Sequence, residues 1–474
     1  MTRAERRAAL SLATLFALRM LGLFMLLPVL SLYADRLSHA TPALIGLAVG
    51  AYGLTQGLLQ IPFGILSDRL GRKPVILGGL ALFVLGSVVG ALSDSIYGVI
   101  AGRALQGSGA VAAAVMALAA DLTRDEHRTK AMAVIGMSIG ASFALALVLG
   151  PVVDSWIGLS GLFWLTGGLA SAGIAILVLL VPTPAHTRVH RDAEPVPAQF
   201  RRVLADSQLL RLDLGIFLLH MVMTATFVAV PLVLHEELGL ASRHHWWVYL
   251  PVLLASVAAM VPFLVLAERR RRKRGILLGA ILVLGLAQLG LAGFHGSLLG
   301  LVAMLLAYFA AFNLLEATLP SLVSKVAPAD SKGTAMGIYS SGQFLGAFLG
   351  GSLGGVLMGQ FGYGGVFVLG GALAGLWLLA SISMREPPHL TSYLLNVGPV
   401  SEEEARRLGM RLTEVRGVAE AVVIASEGEA YLKVEPHALD EAALLAFAAP
   451  SPRSPEGAES PAVEPADESV PGQV

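Results

Sequence analysis

Cysteine is absent from the 474 residues, which excludes disulfides, thiolate metal sites and thiol redox chemistry. Charge is scarce: 14% of residues are charged against 55% hydrophobic, and mean hydropathy is +0.72. A chain so poor in charge is not water-soluble throughout, so its length counts membrane spans rather than soluble domains. No cleavage site of small residues follows the first apolar run. Arg3, Arg6 and Arg7 are therefore read as introducing a span that stays, not a removed signal peptide. Net charge is zero, but the charges are unevenly placed, and that placement is informative.

Twelve apolar runs are long enough to cross about 30 Å of hydrocarbon. They lie near 10–33, 43–66, 74–92, 96–119, 130–152 and 159–182, then 208–234, 246–267, 275–294, 298–323, 333–358 and 362–384. Of the loop Lys and Arg before the last run, all but Arg36 and Arg243 fall on the side of the N-terminus. The inside-positive bias then puts both termini in the cytoplasm, and an even number of spans agrees. The 53 glycines let helices approach closely where lipid gives no hydrophobic drive for association. Residues 183–207, rich in Pro, His and Arg, form a linker between six-helix bundles at 1–182 and 208–387. Past Pro387-Pro388 the pattern turns soluble. Residues 391–397, 418–425 and 429–435 read as strands; Ser401 and the glutamates after it start a helix, and Leu439–Phe447 forms another. This β-α-β-β-α order makes a small domain over 388–447, and the Pro/Ser/Glu/Ala-rich stretch 448–474 is expected to be disordered.

The polar break Gly64-Ile-Leu-Ser-Asp-Arg-Leu-Gly-Arg-Lys73 stands between the second and third runs. Charges beside hydrocarbon are costly, so Asp68, Arg69, Arg72 and Lys73 should pair with each other, with helix ends or with lipid head groups. Head-group contact is the expectation for Arg69 and Lys73. Asp68 is placed to cap the N-terminus of the eleventh span around Gly333–Met336, and Gly71 keeps the turn tight. The halves echo one another. Arg128-Thr-Lys-Ala-Met132 is answered by Lys332-Gly-Thr-Ala-Met336, and Glu268 with 269–274 answers Asp68 to Lys73, with Arg271 in place of Gly71. Duplicated halves around a midplane site are a recurring plan of secondary transporters.

Candidates for proton coupling are few. Glu316, one turn from Asn313, is an acid set well inside a span, where burial makes a carboxyl a usable proton carrier; His220 titrates in range already. Arg103 is a guanidinium within a span, expected to perturb an acid or to bind the backbone of the first span. Arg19 is read as the counter-charge of Glu316 or as a cation snorkelling near the inner interface. Tyr52, Gln56 and Gln60 form a polar stripe on one face of the second span. His220, Met223, Thr224 and Phe227 share a face of the seventh, and Tyr339 and Gln343 mark the eleventh. With Asn313 they outline an amphiphilic cavity for a largely apolar solute, cations included. His437 is a single ligand at best, so no metal, cofactor or nucleic acid is expected.

Taken together these motifs resemble the major facilitator superfamily and, within it, the drug:proton antiporter branch. Gly64-x-x-x-Asp68-Arg69-x-Gly71-Arg72-Lys73 matches the superfamily's loop 2–3 motif in full. Arg103-x-x-Gln106-Gly107-x-Gly109 is similar to the span-4 motif of proton-coupled members. Gly136, Gly140 and Gly150-Pro151 resemble the span-5 antiporter motif with looser spacing. The appended βαββα module is similar to the C-terminal domain of YajR-type transporters. The resemblance implies an all-α membrane protein of twelve transmembrane helices in two six-helix pseudo-repeats, with a small cytoplasmic α+β ferredoxin-like domain. It also implies a conformational latch in which Arg72 holds Asp68 and Asp121, with Arg128 nearby, favouring the outward-open state. A seam between the halves would be kinked at Gly150-Pro151. The function implied is transport, not enzymatic catalysis: proton-coupled efflux of a small organic solute across the inner membrane. Two other readings stay open, a proton-independent facilitator or uptake permease and a membrane-anchored sensor working through the C-terminal domain.

Overall fold

The computed structural model describes residues 1–33, 36–184, 196–269, 273–386 and 390–449. Helix α1 (Arg3–Met25) opens on a capping box: the Thr2 hydroxyl accepts from the Glu5 amide, and the Glu5 carboxylate accepts from the Thr2 amide at 2.6 Å. Helices α2 (Pro42–Leu70), α3 (Arg72–Ala91), α4 (Ile96–Ser108), α5 (Ala112–Asp121) and α6 (Asp125–Leu179) follow. A short α7 (Phe200–Leu204) leads to α8 (Ser207–Leu232), α9 (Trp246–Arg269), α10 (Lys273–Phe294), α11 (Leu298–Val326) and α12 (Lys332–Ile382).

Among the described residues, ten continuous segments are long and apolar enough to cross a membrane, and two of them are double. Helix α6 has 55 residues, about 80 Å at 1.5 Å per residue, more than twice the hydrocarbon thickness. Its backbone leaves the helical region at Gly158 (φ 66°), and α12 does the same at Gly362 (φ 63°), a left-handed turn that glycine takes without strain. Each is therefore two crossings, and the twelve expected spans are all present. The break in the fifth span is not at Gly150-Pro151. The helix runs through Pro151, whose missing N–H costs one backbone bond, and turns at Gly158, where φ is open only to a residue without Cβ.

Close contacts gather several helix ends on one face of the bundle. Arg124 at the start of α6 meets Glu5 near the start of α1 (2.9 Å), and Lys73 in α3 donates to the Val181 carbonyl after α6 (2.6 Å). On the same face Arg202 reaches Asp330 at 3.2 Å. Helices α2 and α12 run antiparallel in tight contact, which directs the start of α12 toward the same face as the end of α2. A Cβ on Gly46 would come within 2.2 Å of the Gly351 carbonyl, one on Gly50 within 2.6 Å of the Phe348 carbonyl, and one on Gly53 within 2.4 Å of the Phe344 carbonyl. Such approach is the expected use of small residues where lipid does not drive association. These glycines, not Gly136 and Gly140, make the seam, because a Cβ on either of the latter meets nothing within 4 Å. Gly150 is tight, but against the Met25 carbonyl of α1.

The chain divides into two compact units, Met1–Ser392 and a second from Tyr393. The second contains β1 (Thr391–Asn396, its first residues in the preceding unit), α13 (Glu402–Glu414), β2 (Val418–Ile424), β3 (Glu429–Val434) and α14 (Glu441–Leu445). The strand order is β1-β3-β2, with β2 and β3 antiparallel. Leu395, Leu412, Leu432, Val434 and Leu444 form its core. Helix α14 is shorter than its apolar run because Asp440 caps it, accepting from the Ala443 amide. The tail from 450 and linker residues 185–195 lie outside the described residues.

Candidate transport site

His220 lies about 20 Å along α8 from Ser207, while Glu316 and Gln343 lie about 15 and 17 Å from the ends of α11 and α12 on the Asp68 face. The three meet at mid-depth. His220 Nδ1 is 3.3 Å from the Ile216 carbonyl. A carbonyl only accepts, so Nδ1 carries the hydrogen and Nε2 of the neutral ring is an acceptor. Nε2 takes an N–H from the Gln343 amide at 2.8 Å. The same amide nitrogen donates to Glu316 Oε1 at 3.4 Å. Glu316 Oε2 is buried without a hydrogen bond, 3.9 Å from His220 Nε2. The Glu316 side chain is 39% accessible, through atoms other than the buried Oε2, against 8% for His220.

Tyr339 and Asp213 belong to the same region. The Tyr339 hydroxyl and Asp213 Oδ1 are buried without hydrogen-bond partners, and a Cβ on Gly342 of α12 would lie 3.6 Å from the Asp213 carbonyl. Asp213 is absent from the residues picked out by sequence. Its signal was available: it precedes His220 by two turns on the same face of the seventh span.

The other half holds two buried guanidinium groups. Arg19 is wholly buried and donates to the Tyr52 hydroxyl (3.0 Å), Gln56 Oε1 (3.0 Å) and the Gly109 carbonyl (2.9 Å). It is neither the counter-charge of Glu316 nor a snorkelling cation, because the break between α4 and α5 at Gly109 offers it a carbonyl inside the bundle. Arg103 donates to Gln106 Oε1 at 3.1 Å and to the Ala48 and Val49 carbonyls at 3.4 Å. It therefore binds the backbone of the second span, not the first. Its guanidinium lies 5.3 Å from the centre of the Tyr52 ring, and that of Arg19 lies 5.9 Å from it. Gln56 passes the network to Gln60 at 3.1 Å. Tyr52, Gln56 and Gln60 are all buried, so this stripe anchors Arg19 and does not line open space.

Above the polar site, away from the Asp68 face, aromatic rings close the bundle. Phe143 of α6 lies 6.4 Å from Phe227 of α8 and 6.2 Å from Phe312 of α11, and Phe312 packs on His220 at 6.0 Å. Met223, Thr224 and Phe227 are buried in this packing and do not form a cavity wall. Asn313 donates to Ser256 of α9 at 3.0 Å, a bond between helices.

At the opposite end the charged loop is built largely as its residues suggest. Gly71 has φ 92° and separates α2 from α3. Arg72 is buried; it pairs with Asp68 through Nη1, with Asp121 through Nε at 3.2 Å, and with the Ser67 hydroxyl at 2.8 Å. Ser67 in turn donates to the Gly64 carbonyl at 2.7 Å. Two expectations fail here. Asp68 does not cap the eleventh span: no side chain caps α12, whose N-cap residue is Ser331, and Thr334 is engaged by the Val196 amide (2.8 Å) and by Gln199 (2.9 Å). Lys73 is bound to the carbonyl that ends the sixth span, so it is not left for lipid. Arg69 is exposed and Arg128 buried. The side chain of Glu268 and residues 270–272, the degenerate echo of this loop, lie outside the described residues.

Twelve crossings in two packed halves, with titratable side chains meeting at mid-depth, define a multi-pass membrane transporter. The chain belongs to the Major Facilitator Superfamily, which its residues 12–242 and 212–401 match. It is 48% identical over 435 residues to the "Inner membrane transport protein YajR" of Escherichia coli K12, covering 92% of this chain and 95% of that protein. It is 28% identical over 352 residues to the "Multidrug resistance protein MdtH" of Aeromonas hydrophila, covering 73% and 86%. Among solved structures it resembles a bacterial homologue of the human lysosomal transporter Spinster in an inward-facing, occupied conformation. There the TM-score is 0.66 at 15% identity, covering 81% of this chain and 97% of the other. The D-xylose–proton symporter matches with a TM-score of 0.63 at 16% identity, covering 81% and 98%.

Proposed function

We propose that this protein is a proton-coupled exporter of a small amphiphilic organic solute, residing in the inner membrane with both termini in the cytoplasm. Glu316 is the observation that carries the reading. It is a partly accessible acid at mid-depth, with one oxygen held by Gln343 and the other buried beside His220 without a hydrogen bond. Ionisable groups at that depth are costly, and a proton carrier is the function that accounts for one. The name of the YajR relative supports transport at an inner membrane, and the multidrug-resistance name of the MdtH relative accords with export.

In this reading the bundles span 1–182 and 208–387, joined by the linker 183–207, and the small domain 388–447 hangs on the cytoplasmic side. The seam is shut on the outer side by the α2–α12 glycines and the Phe143–Phe227–Phe312 cluster. We take the conformation as inward-facing, with the Asp68–Arg72–Asp121 latch formed inside the first half and not engaged with α12. Alternating access would break the outer seam and let Asp68 reach α12.

The test is solute-induced proton release from proteoliposomes. Wild type should release protons on addition of a transported amphiphile, and Glu316→Gln should not. An unchanged signal in the variant would remove Glu316 as carrier.

A further inference from the structure

Gln343 and Phe344 are consecutive on α12 and face different neighbours. Gln343 bonds His220 of α8 and Glu316 of α11. The Phe344 ring lies 6.0 Å from the Tyr52 ring of α2, and its carbonyl is the atom that a Cβ on Gly53 would strike. The proton site of one half and the seam with the other are thus one residue apart.

We propose that Gln343 is the positioning residue that passes proton occupancy of the His220–Glu316 pair to the seam between the halves. The inference rests on the proton-coupling reading above. In the arrangement seen, the amide nitrogen donates both to His220 Nε2 and to Glu316 Oε1, which requires an unprotonated Nε2 and an accepting Oε1. A proton arriving on Glu316 Oε2 finds Nε2 at 3.9 Å. Closing that gap lets the carboxyl O–H donate directly to Nε2, which has a single lone pair. The Gln343 bond is then displaced, and a buried amide must find another partner. We place that adjustment in α12 itself: Gly346 and Gly350 seat the helix directly on the Phe217 and Met221 carbonyls, with no side chain between to absorb a displacement. Any such shift moves Phe344 relative to Tyr52 and Gly53.

The titratable and charged groups around the pair are few. Helix α8 brings Asp213, α11 Tyr308 and α12 Tyr339. From α2 comes Tyr52, with Arg19 and Arg103 behind it, while what α6, α9 and α10 bring is uncharged, Phe143, Ser256 and Gln288. None of these takes the lone pair of Nε2, so Gln343 is the group that protonation displaces.

The cysteine-free chain allows a clean test. Nitroxide labels on Leu70→Cys of α2 and Met336→Cys of α12 report the separation of the two helices on the Asp68 face by electron–electron resonance. In lipid nanodiscs the wild-type distance distribution should shift between pH 5 and pH 8. Gln343→Met, close in size but without the amide, should abolish the shift while thermal unfolding stays as in wild type. Should that variant fold poorly, Gln343→Asn, which keeps the amide on a shorter arm, should reduce the shift. A full wild-type shift in whichever variant folds would overturn the inference. Glu316→Gln separates the two levels: if it too keeps the shift, the proton-coupling reading fails, and if it alone loses it, only the role of Gln343 does.

Discussion

Arg72 shows how much one side chain can organise in a membrane protein. It reaches Asp68 and Asp121 through different nitrogens of one rigid plane and takes the Ser67 hydroxyl as well. Lysine has the charge but not the fork, so Arg72→Lys should lower transport sharply in proteoliposomes even where expression is normal. Equal transport would mean that charge alone is needed. In the small second unit, the backbone N–H and hydroxyl of Ser401 hold the Glu404 carboxyl below the usual carboxylate range. A depressed folded value means that this contribution to helix α13 is present above the unfolded carboxylate range and fades as pH falls through the folded value. Ser401→Ala keeps the backbone N–H and should only weaken that pH dependence of amide-exchange protection in the first turn of α13, whereas Glu404→Gln, with no group to titrate, should remove it. The Arg72 cluster was legible in sequence because Asp68 and Arg72 are one turn apart. The partners of Arg19 were not, because Tyr52 and Gly109 come from helices whose adjacency no local spacing encodes.

At the scale of elements the glycines divide into those that touch a neighbour and those that do not. Gly46, Gly50 and Gly53 of α2 meet backbone atoms of α12, so Gly46→Val places methyl groups where the Gly351 carbonyl sits. This substitution should hold the halves apart on the outer side, read as loss of cross-linking between cysteines introduced there. Unchanged cross-linking would contradict the seam described. Gly136→Ala and Gly140→Ala meet open space, and each should leave transport unaltered and raise helix stability by up to about 1 kcal/mol. The repeated three- and four-residue spacing of glycines along α2 was visible in the sequence. What it lacked was the partner helix, and motif resemblance drew attention to the fifth span instead. Pro151 misled in the same way: proline marks a lost hydrogen bond, while the turn itself needed the positive φ of Gly158.

For the whole molecule, the twelve crossings were readable from hydropathy because each must span the same hydrocarbon thickness. The soluble β-α-β-β-α order was readable because its strands and caps are local features. The conformation was not readable. A sequence that alternates between two states must satisfy both, so Asp68 can be suited to capping α12 and yet be found without it. For the same reason the sequence showed Glu316 and His220 as candidates without showing that Gln343 stands between them. The central claim is that solute movement is driven through that pair by protons. It is tested most directly by measuring flux of a transported amphiphile in proteoliposomes with and without an imposed pH gradient. The account predicts that an inwardly directed proton gradient, acid on the side corresponding to the cell exterior, accelerates export in wild type and has no effect in Glu316→Gln. Flux that ignores the gradient in wild type would contradict it.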